Sequence, residues 1–386
     1  METAHLIAFN TALLAAWLAP GPAMLYALRT SRVSGQAAGI AAGAGLGFVV
    51  SIIGFLGIIF GIVAGLLVAR IRYRRALLAA LWIGAFLSLL QATLPPLPLM
   101  LASRLLEGLS HLAIVVATPT LIAHISAPKD RGVTLTLWGT FFGVAFAILA
   151  WFGVPLASSL GVPALLLAHA AYLAGCALIL SARLPDVEMG ETSPVSVLRV
   201  LRDHVTIYKS PRIAAPALGW LFYTFCFVSI LTVLPPFLDP QVRGPVMGAI
   251  PLVGIAVSMT AGVFLLRLMS PIGVIGLGFA CSLGATLWLW SVPGSPSACL
   301  ALAAAMGLVQ GASFAAVPFL NTELSHQAQA NGAMAQMGNL GNTLGTPVMA
   351  FAISGMGYAG LMVLAASAFV CGGLVHLLSA LRRRST

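Results

Sequence analysis

Long apolar runs, each about 20 residues and separated by short polar segments, follow one another along almost the whole chain. A run of this length crosses a bilayer as an α-helix, whereas barrel strands would alternate over about ten residues. The pattern predicts an all-α integral membrane protein with twelve transmembrane helices, the alternative being a second or re-entrant span within the first 45 residues. The predicted spans are residues 6–28, 45–69, 76–95, 98–125, 133–157, 161–182, 213–237, 245–266, 271–292, 297–320, 330–354 and 358–380.

One longer polar segment divides these spans into two groups of six. We expect an amino-terminal six-helix bundle over 1–182, a cytoplasmic linker over 183–212 and a carboxy-terminal six-helix bundle over 213–386. Within the linker, residues 195–208 place apolar positions among charged ones with helical spacing. This spacing predicts an amphipathic helix at the membrane surface, with a flexible linker as the alternative.

The basic residues are distributed unequally between the two sides of the predicted membrane. With the amino terminus inside, fifteen Lys and Arg residues fall on inward segments, three fall on outward segments, and Arg104 lies within a span. The positive-inside rule therefore predicts that both termini are cytoplasmic, and the membrane would be a bacterial inner membrane. The start of the chain lacks a basic region and a cleavage site, so we expect a retained helix rather than a removed signal.

Composition excludes several classes of function. The chain is 60% hydrophobic and only 7% charged, with a mean hydropathy of +1.03, which no soluble domain of this size would have. The net charge of +10 lies in short segments between spans and so suits anionic lipid rather than nucleic acid. The five cysteines are scattered singly, so no metal site, disulfide or cofactor is predicted. Phosphate-binding and hydrolase motifs are absent, which predicts a gradient-driven transporter rather than an enzyme.

The fourth predicted span carries three polar side chains, Arg104, Glu107 and His111, along one stripe of a helix. A charge at this depth costs about 2.5–3.5 kcal/mol or more on insertion scales, so it is kept mainly where it faces protein or water. We predict that Arg104 binds the substrate and that Glu107 carries a proton, with a structural ion pair as the alternative. His111 either relays that proton or contacts the solute, or it is a neutral histidine held by a neighbouring helix.

Further polar groups lie in spans that are otherwise apolar. Asn339, Asn342 and Thr343 share one broad face of the eleventh span, which either binds substrate or contacts another helix. The remaining candidates for substrate binding or coupling are Thr140, Tyr223 and Gln310. Each of these three alone is more often a helix–helix contact.

The two groups of six spans repeat one another. Gly65 and Arg70 correspond to Gly262 and Arg267, Glu107-Gly108 to Gln310-Gly311, and Arg131-Gly132 to Asn331-Gly332. The offsets are 197, 203 and 200 residues, about half the chain, and each pair falls at the same place in its group. Two parallel six-helix repeats with a binding site between them are therefore predicted.

Two motifs carry a resemblance to a known family. The loop that begins at Gly65 is similar to the G-x-L-x-D-R-x-G-R-R loop of the major facilitator superfamily, but Ala69, Arg72 and Tyr73 replace its Asp, Gly and Arg. Arg104-Leu-Leu-Glu107-Gly108 resembles the R-x-x-x-G motif of the fourth helix in that family. The resemblance implies the major facilitator fold, alternating access, and a gating loop. The residues expected there are Gly65, Arg70, Arg74, Arg75, Asp130 and Arg131.

Two finer resemblances concern other parts of the chain. RLLEG, PTLIA and PKDRGVTLTLWGTFFGVAFA are similar to the cyanate and nitroimidazole permease branch of the superfamily. The first 45 or so residues, with APGPAMLY, locally resemble permeases of the lysine and threonine exporter type.

The expected function is secondary active transport of a small anionic or polar organic solute by a monomer, coupled to protons. One alternative is proton-linked efflux of a drug-like compound or metabolite. Another is a transporter-like membrane assembly or receptor protein that no longer transports, since the usual loop Asp is replaced by Ala69.

Overall fold

A computed structural model describes residues 56–66, 73–184 and 197–385, which form helices joined by short turns. The first predicted span, the exporter-like first 45 residues, Ala69, Arg70 and Arg72 lie outside the described residues. We call residues 56–184 the amino-terminal segment and residues 197–385 the carboxy-terminal segment.

The amino-terminal segment contains seven helices in its described residues: α1 (Leu56–Leu66), α2 (Tyr73–Ala92), α3 (Leu97–Ile125), α4 (Arg131–Gly139), α5 (Phe141–Ile148), α6 (Val154–Leu160) and α7 (Val162–Arg183). A π-helical turn over Leu149–Gly153 joins α5 to α6. The predicted fifth span is therefore an interrupted path through α4, α5 and α6 rather than one continuous helix.

The carboxy-terminal segment contains α8 (Val197–Lys209), α9 (Ala214–Val233), α10 (Pro240–Val257), α11 (Val263–Leu268), α12 (Pro271–Ser291), α13 (Pro296–Leu320) and α14 (Leu324–Ser385). A 3₁₀ turn over Pro235–Phe237 precedes α10, and a π-helical turn over Ser258–Gly262 joins α10 to α11. The chain breaks direction within α14 at Gly357, whose φ of 57° is a left-handed conformation that glycine tolerates. This break separates the predicted eleventh and twelfth spans.

Local sequence explains where several of these helices begin. Asp239, Ser270 and Ser295 are N-cap residues, and each is followed by proline at the first helical position. Each cap side chain accepts a hydrogen bond from a backbone N–H in the first turn, and proline has no N–H to leave unpaired there. These short signals fix the entry points of α10, α12 and α13.

Eight helices among the described residues are long and apolar enough to cross a membrane. They agree with the predicted spans, and α14 supplies two of those spans on either side of Gly357. The chain is a multi-pass membrane protein. We call the end of the molecule that carries Lys129, Arg131 and Arg267 the basic end, since these residues line one cleft there.

The two segments approach each other closely through small residues near the basic end. A Cβ atom added at Gly65 would lie 2.7 Å from the carbonyl oxygen of Ala328, and one added at Gly332 would lie 2.7 Å from that of Gly61. Contacts this short are possible only for glycine, because real Cβ atoms do not approach other atoms below 3.0 Å. Helix α1 is therefore packed backbone to backbone against α14.

Candidate functional site

The buried ion pair of α3 contacts the neighbouring helix α2. Arg104 donates a hydrogen bond of 2.5 Å from Nη1 to Glu107 Oε2, and the side chain of Gln91 donates to the same oxygen at 2.6 Å. The Arg104 and Glu107 side chains are only 3% and 5% exposed. Glu107 Oε1 and Arg104 Nε have no hydrogen-bond partner in the described structure. Each partner of the ion pair thus has one hydrogen-bonded polar atom and one buried polar atom without a partner in the described structure.

His111 lies one turn further along α3 and has different surroundings. It is the middle residue of α3, and it lines a cavity that encloses about 620 Å³, its open mouth included. Arg104 and Glu107 are not among the described residues that line this cavity. The three residues of the predicted stripe therefore have different surroundings. Arg104 and Glu107 pack against α2, whereas the His111 imidazole lines the cavity.

We call this space the central cavity, because His111 and Tyr223 lie at the middle of their helices. Both segments contribute to its walls. Its described lining contains no Asp, Glu, Lys or Arg side chain. The lining residues are His111, Val115, Trp138, Phe141, Trp220, Tyr223, Thr224, Phe227, Phe314, Asn331, Met334, Ala335, Gly338, Asn339 and Asn342.

Aromatic rings form much of the wall of the central cavity. On α9, Tyr223 stacks between Trp220 and Phe227, with ring centroids 4.5 and 5.6 Å from its own. Phe314 of α13 packs edge-on against Trp220 at 5.1 Å and against Trp138 at 6.5 Å. Phe314 therefore joins the aromatic groups of the two segments. Such a wall offers an apolar solute large contact areas and ring faces.

Amide side chains from α14 and the His111 imidazole of α3 supply polar groups of the cavity. The Nδ2 group of Asn339 donates to the Ala335 carbonyl of its own helix at 2.8 Å, so its oxygen remains as an acceptor. Asn342 Oδ1 and His111 Nδ1 are buried without a hydrogen-bond partner in the described structure. A bound solute with hydroxyl, amide or ring-nitrogen groups would satisfy these atoms.

Hydrogen bonds between the segments close the cavity towards the basic end. Asn331 Nδ2 donates to Thr120 Oγ1 at 3.0 Å in the last turns of α3. Nearer the middle of α13, Gln310 Nε2 donates to the Gly139 carbonyl at 2.6 Å. Gln336 donates to the carbonyl of Ile58. The structure therefore has its two segments joined at the basic end.

The linker helix α8 takes part in this closure. The hydroxyl of Tyr208 donates a hydrogen bond of 2.6 Å to Gln336 Oε1, while Gln336 also reaches α1. Burial raises the pKa of the Tyr208 phenol, because the phenolate would lose its hydration there. Tyr208 therefore remains a neutral donor at ordinary pH.

Of the other predicted site residues, Tyr223 lines the central cavity, whereas Gln310, Thr140 and Thr343 lie outside its described lining. Gln310 lines a smaller neighbouring cavity within the carboxy-terminal segment, and Tyr223 lines both. Thr140 caps α4 and donates to the Leu137 carbonyl at 2.7 Å. Thr343 is partly buried on α14 but is not part of the described cavity lining.

The expected gating-loop residues have separate contacts in the described structure. Gly65 packs against α14, and Arg74 donates to the Ser181 carbonyl at 2.5 Å. Arg75 is exposed. Asp130 precedes α4 without making a side-chain cap, and Arg131 lines a cleft that also contains Arg267.

The sequence analysis selected Tyr223 but neither the other rings of the aromatic wall nor Gln91. Trp220, Tyr223 and Phe227 are spaced by three and four residues, which places them on one helix face. That spacing was a usable signal, but aromatic stripes in apolar helices more often pack against neighbours. Gln91 could not be assigned to Glu107, because the two are joined by tertiary packing of α2 on α3.

Comparison with known proteins places the chain in a family. The sequence profile described as Major Facilitator Superfamily matches residues 6–346. No protein with a curated description matches the sequence.

Solved structures resemble the chain over almost its whole length. The major facilitator transporter FucP in its outward conformation matches with a TM-score of 0.74 and 15% identity, covering 97% of this chain and 99% of the other. The human organic anion transporter MFSD10 (TETRAN) matches with a TM-score of 0.76 and 16% identity, covering 97% and 98%. A variant of the E. coli fucose:proton symporter FucP matches with a TM-score of 0.75 and 15% identity, covering 97% of this chain and 98% of the other. The predicted fold, with two parallel repeats of six helices, is confirmed.

Proposed function

The chain belongs to the major facilitator superfamily, a family of transporters rather than enzymes, and from this premise we propose what it carries and how. The proposed solute is a small polar organic compound with an apolar or aromatic face, bound in the central cavity. Transport proceeds by alternating access, as the bundles 1–182 and 213–386 move relative to each other.

The observation that carries the proposal is the chemistry of the described cavity lining. Six aromatic side chains and three asparagines line it, together with His111, and no Asp, Glu, Lys or Arg does. An ion that left water for this lining would meet no opposite charge, which makes its transfer costly. An uncharged solute would meet ring faces and amide groups. This lining supports the polar-solute form of the sequence prediction over the anionic form, in which Arg104 is the counter-charge.

Proton coupling through Glu107 is the second part of the proposal. The carboxylate shares Oε2 with two donors, Arg104 and Gln91, while Oε1 is buried without a partner in the described structure. Protonation of Oε1 would turn this oxygen into a donor and weaken the attraction to Arg104. His111 lies one turn away, towards the cavity, so the proton site and the solute site are adjacent along α3.

The cellular setting is also proposed. The positive-inside rule supports a bacterial inner membrane with both termini cytoplasmic, so that the basic end faces the cytoplasm. The motif likeness supports the cyanate and nitroimidazole permease branch and a monomer that functions alone. Efflux of an amphipathic drug-like compound is a second candidate function, since the same aromatic wall would accept it.

Thermal stabilisation of the purified protein by a panel of compounds tests the solute class. The panel contains neutral aromatic metabolites, small organic anions and hydrophobic cations. We expect neutral compounds to stabilise the wild type and the Thr346→Val control, whose hydroxyl contacts Ser229 outside the cavity. The Asn342→Leu variant should lose this effect. Stabilisation by anions alone would contradict the proposed solute class, and stabilisation by hydrophobic cations alone would favour efflux.

Flux of the identified solute into proteoliposomes under an imposed pH gradient tests the coupling. Wild-type flux should follow the gradient, whereas flux by Glu107→Gln should proceed without gradient dependence. Gradient-driven flux that survives this substitution would reject Glu107 as the proton site. Saturable binding with no flux under any gradient would favour the receptor-like alternative.

A further inference from the structure

A second, wider cleft lies at the basic end and has no role in the proposed transport site. It encloses about 1220 Å³, its open mouth included. The start of α4 forms one wall, and the ends of α11 and α13 with the start of α12 form the other. The cleft therefore lies between the amino-terminal and carboxy-terminal segments. We call it the basic cleft.

The charges that line the basic cleft are all of one sign. Lys129, Arg131 and Arg267 line it, and no acidic side chain does so among the described residues. None of these three cations forms an ion pair within the described part of the chain. The Nε atom of Arg131 is buried there without a hydrogen-bond partner. The described lining thus carries three positive charges and no negative one, with Asp130 next to Lys129 and Arg131 in the chain but outside the lining.

The remaining walls of the cleft are apolar and exposed. Leu268 is 67% exposed and Phe319 is 56% exposed, and both belong to the cleft lining. These residues close the last turns of membrane helices, beside the first turns of α4 and α12. The cleft consequently lies where the chain leaves the hydrocarbon, with cations beside an apolar surface.

We propose that the basic cleft binds the phosphate-bearing headgroup of an anionic phospholipid, whose acyl chains lie against Leu268 and Phe319. The cleft matches such a lipid in two ways. Its cations and N–H donors suit the phosphate, and its exposed apolar side chains suit the acyl chains of the lipid. Basic pockets between membrane helices are known to suit anionic headgroups. A free inorganic anion would use only the first of these features.

Binding at this place would affect both segments at once. The headgroup would contact Arg131 of the amino-terminal segment and Arg267 of the carboxy-terminal segment. Mutual repulsion between these cations is relieved when an anion lies between them. The bound lipid therefore stabilises the arrangement in which the segments meet at the basic end.

Native mass spectrometry of the detergent-purified protein tests the site. The protein is incubated with equal amounts of phosphatidylglycerol and phosphatidylcholine that have the same acyl chains. We expect preferential retention of phosphatidylglycerol by the wild type. The triple variant Lys129→Gln, Arg131→Gln, Arg267→Gln should lose that preference, by about fivefold for each cation removed and roughly a hundredfold in all.

A matched control removes the same charge elsewhere. Arg202, Lys209 and Arg384 are exposed at the basic end and lie outside the cleft lining, so their triple substitution by Gln should leave the preference intact. The single Arg267→Gln variant, at an exposed position, guards against misfolding and should lose about fivefold. Addition of phosphatidylglycerol should also raise the thermal unfolding temperature of the wild type more than that of Arg267→Gln.

Three results would overturn the proposal. One is equal retention of the two lipids by the wild type. A second is an equal loss of preference in the control triple variant, which would indicate a general charge effect. The third is complete displacement of the lipid by millimolar inorganic phosphate, which would indicate a simple anion site.

Discussion

One added methyl group at Gly332 should separate the two segments at the basic end. The Cβ atom of an alanine at position 332 would lie 2.7 Å from the carbonyl oxygen of Gly61 and 3.0 Å from the Cα of Gly65. Ordinary contacts of a Cβ atom begin at 3.4 Å, so α1 and α14 are too close by several tenths of an ångström. Both neighbours are backbone atoms, which cannot rotate away as a side chain would.

The magnitude follows from the cost of overpacking, which is typically about 1–3 kcal/mol. This cost applies only when α1 and α14 are in contact, because the methyl group has free space once the segments separate. The equilibrium between the two arrangements should therefore shift by roughly 5-fold to 150-fold towards the separated one. Gly65→Ala should act in the same direction, since its Cβ atom would lie 2.7 Å from the Ala328 carbonyl oxygen.

Distances between spin labels at the basic end measure this shift. Labels are attached to Arg75→Cys and Ser325→Cys, which are exposed positions in different segments. The two exposed native cysteines, Cys281 and Cys371, are first replaced by alanine. The population with the longer distance should grow in Gly332→Ala.

The control is Gly355→Ala, in the same helix, where an added Cβ would have no atom within 4 Å. It should reproduce the wild-type distances. If Gly332→Ala is folded and gives the same distance distribution as this control, the small-residue contact does not hold the segments together and the reasoning is refuted.

Three further predictions concern individual hydrogen bonds. Asn331→Ala and Thr120→Val each remove the bond between these side chains, worth about 0.5–1.5 kcal/mol, so each should lengthen the same label distance, and the double variant should add little. Additive effects would contradict a direct coupling. Gln310→Leu leaves the Gly139 carbonyl without its donor and should lower stability by about 1–3 kcal/mol in thermal unfolding, and an unchanged unfolding temperature would argue against that bond. Since burial raises the pKa of Tyr208, its contribution to stability is complete below the unfolded pKa of about 10 and is lost as the pH rises above it. The stability difference between wild type and Tyr208→Phe should therefore shrink from about pH 9 to 11, and a constant difference would count against a buried neutral phenol.

Much of the fold was predictable because the bilayer imposes a simple rule. Each span must satisfy its own backbone hydrogen bonds and present apolar side chains, so helix length and position can be read from the pattern. Leu97–Ile125 and Pro296–Leu320 agree with the spans predicted at 98–125 and 297–320 to within a residue or so. The interruption of the predicted span 133–157 by a π-helical turn was not predictable, because it leaves the hydropathy pattern unchanged.

The candidate site was predictable only in part. A charge in a membrane span is conspicuous, so Arg104 and Glu107 are evident from the sequence. The described cavity lining, however, consists mostly of aromatic and amide side chains. Aromatic residues in an apolar helix are not conspicuous, because lipid, neighbouring helices and a cavity all accept them. Their role depends on which face the helix turns inward.

The sequence by itself determined most membrane spans of the described residues, the two repeats and the presence of a paired charge in α3. These features follow from composition and spacing along a single helix or loop. Tertiary structure alone decided that Glu107 pairs with Gln91, that His111 faces the cavity, and that glycines on α1 and α14 bring the segments into contact. The physical reason is that helices in a bilayer associate through packing and hydrogen bonds, which depend on the rotation and depth of each helix against its neighbours.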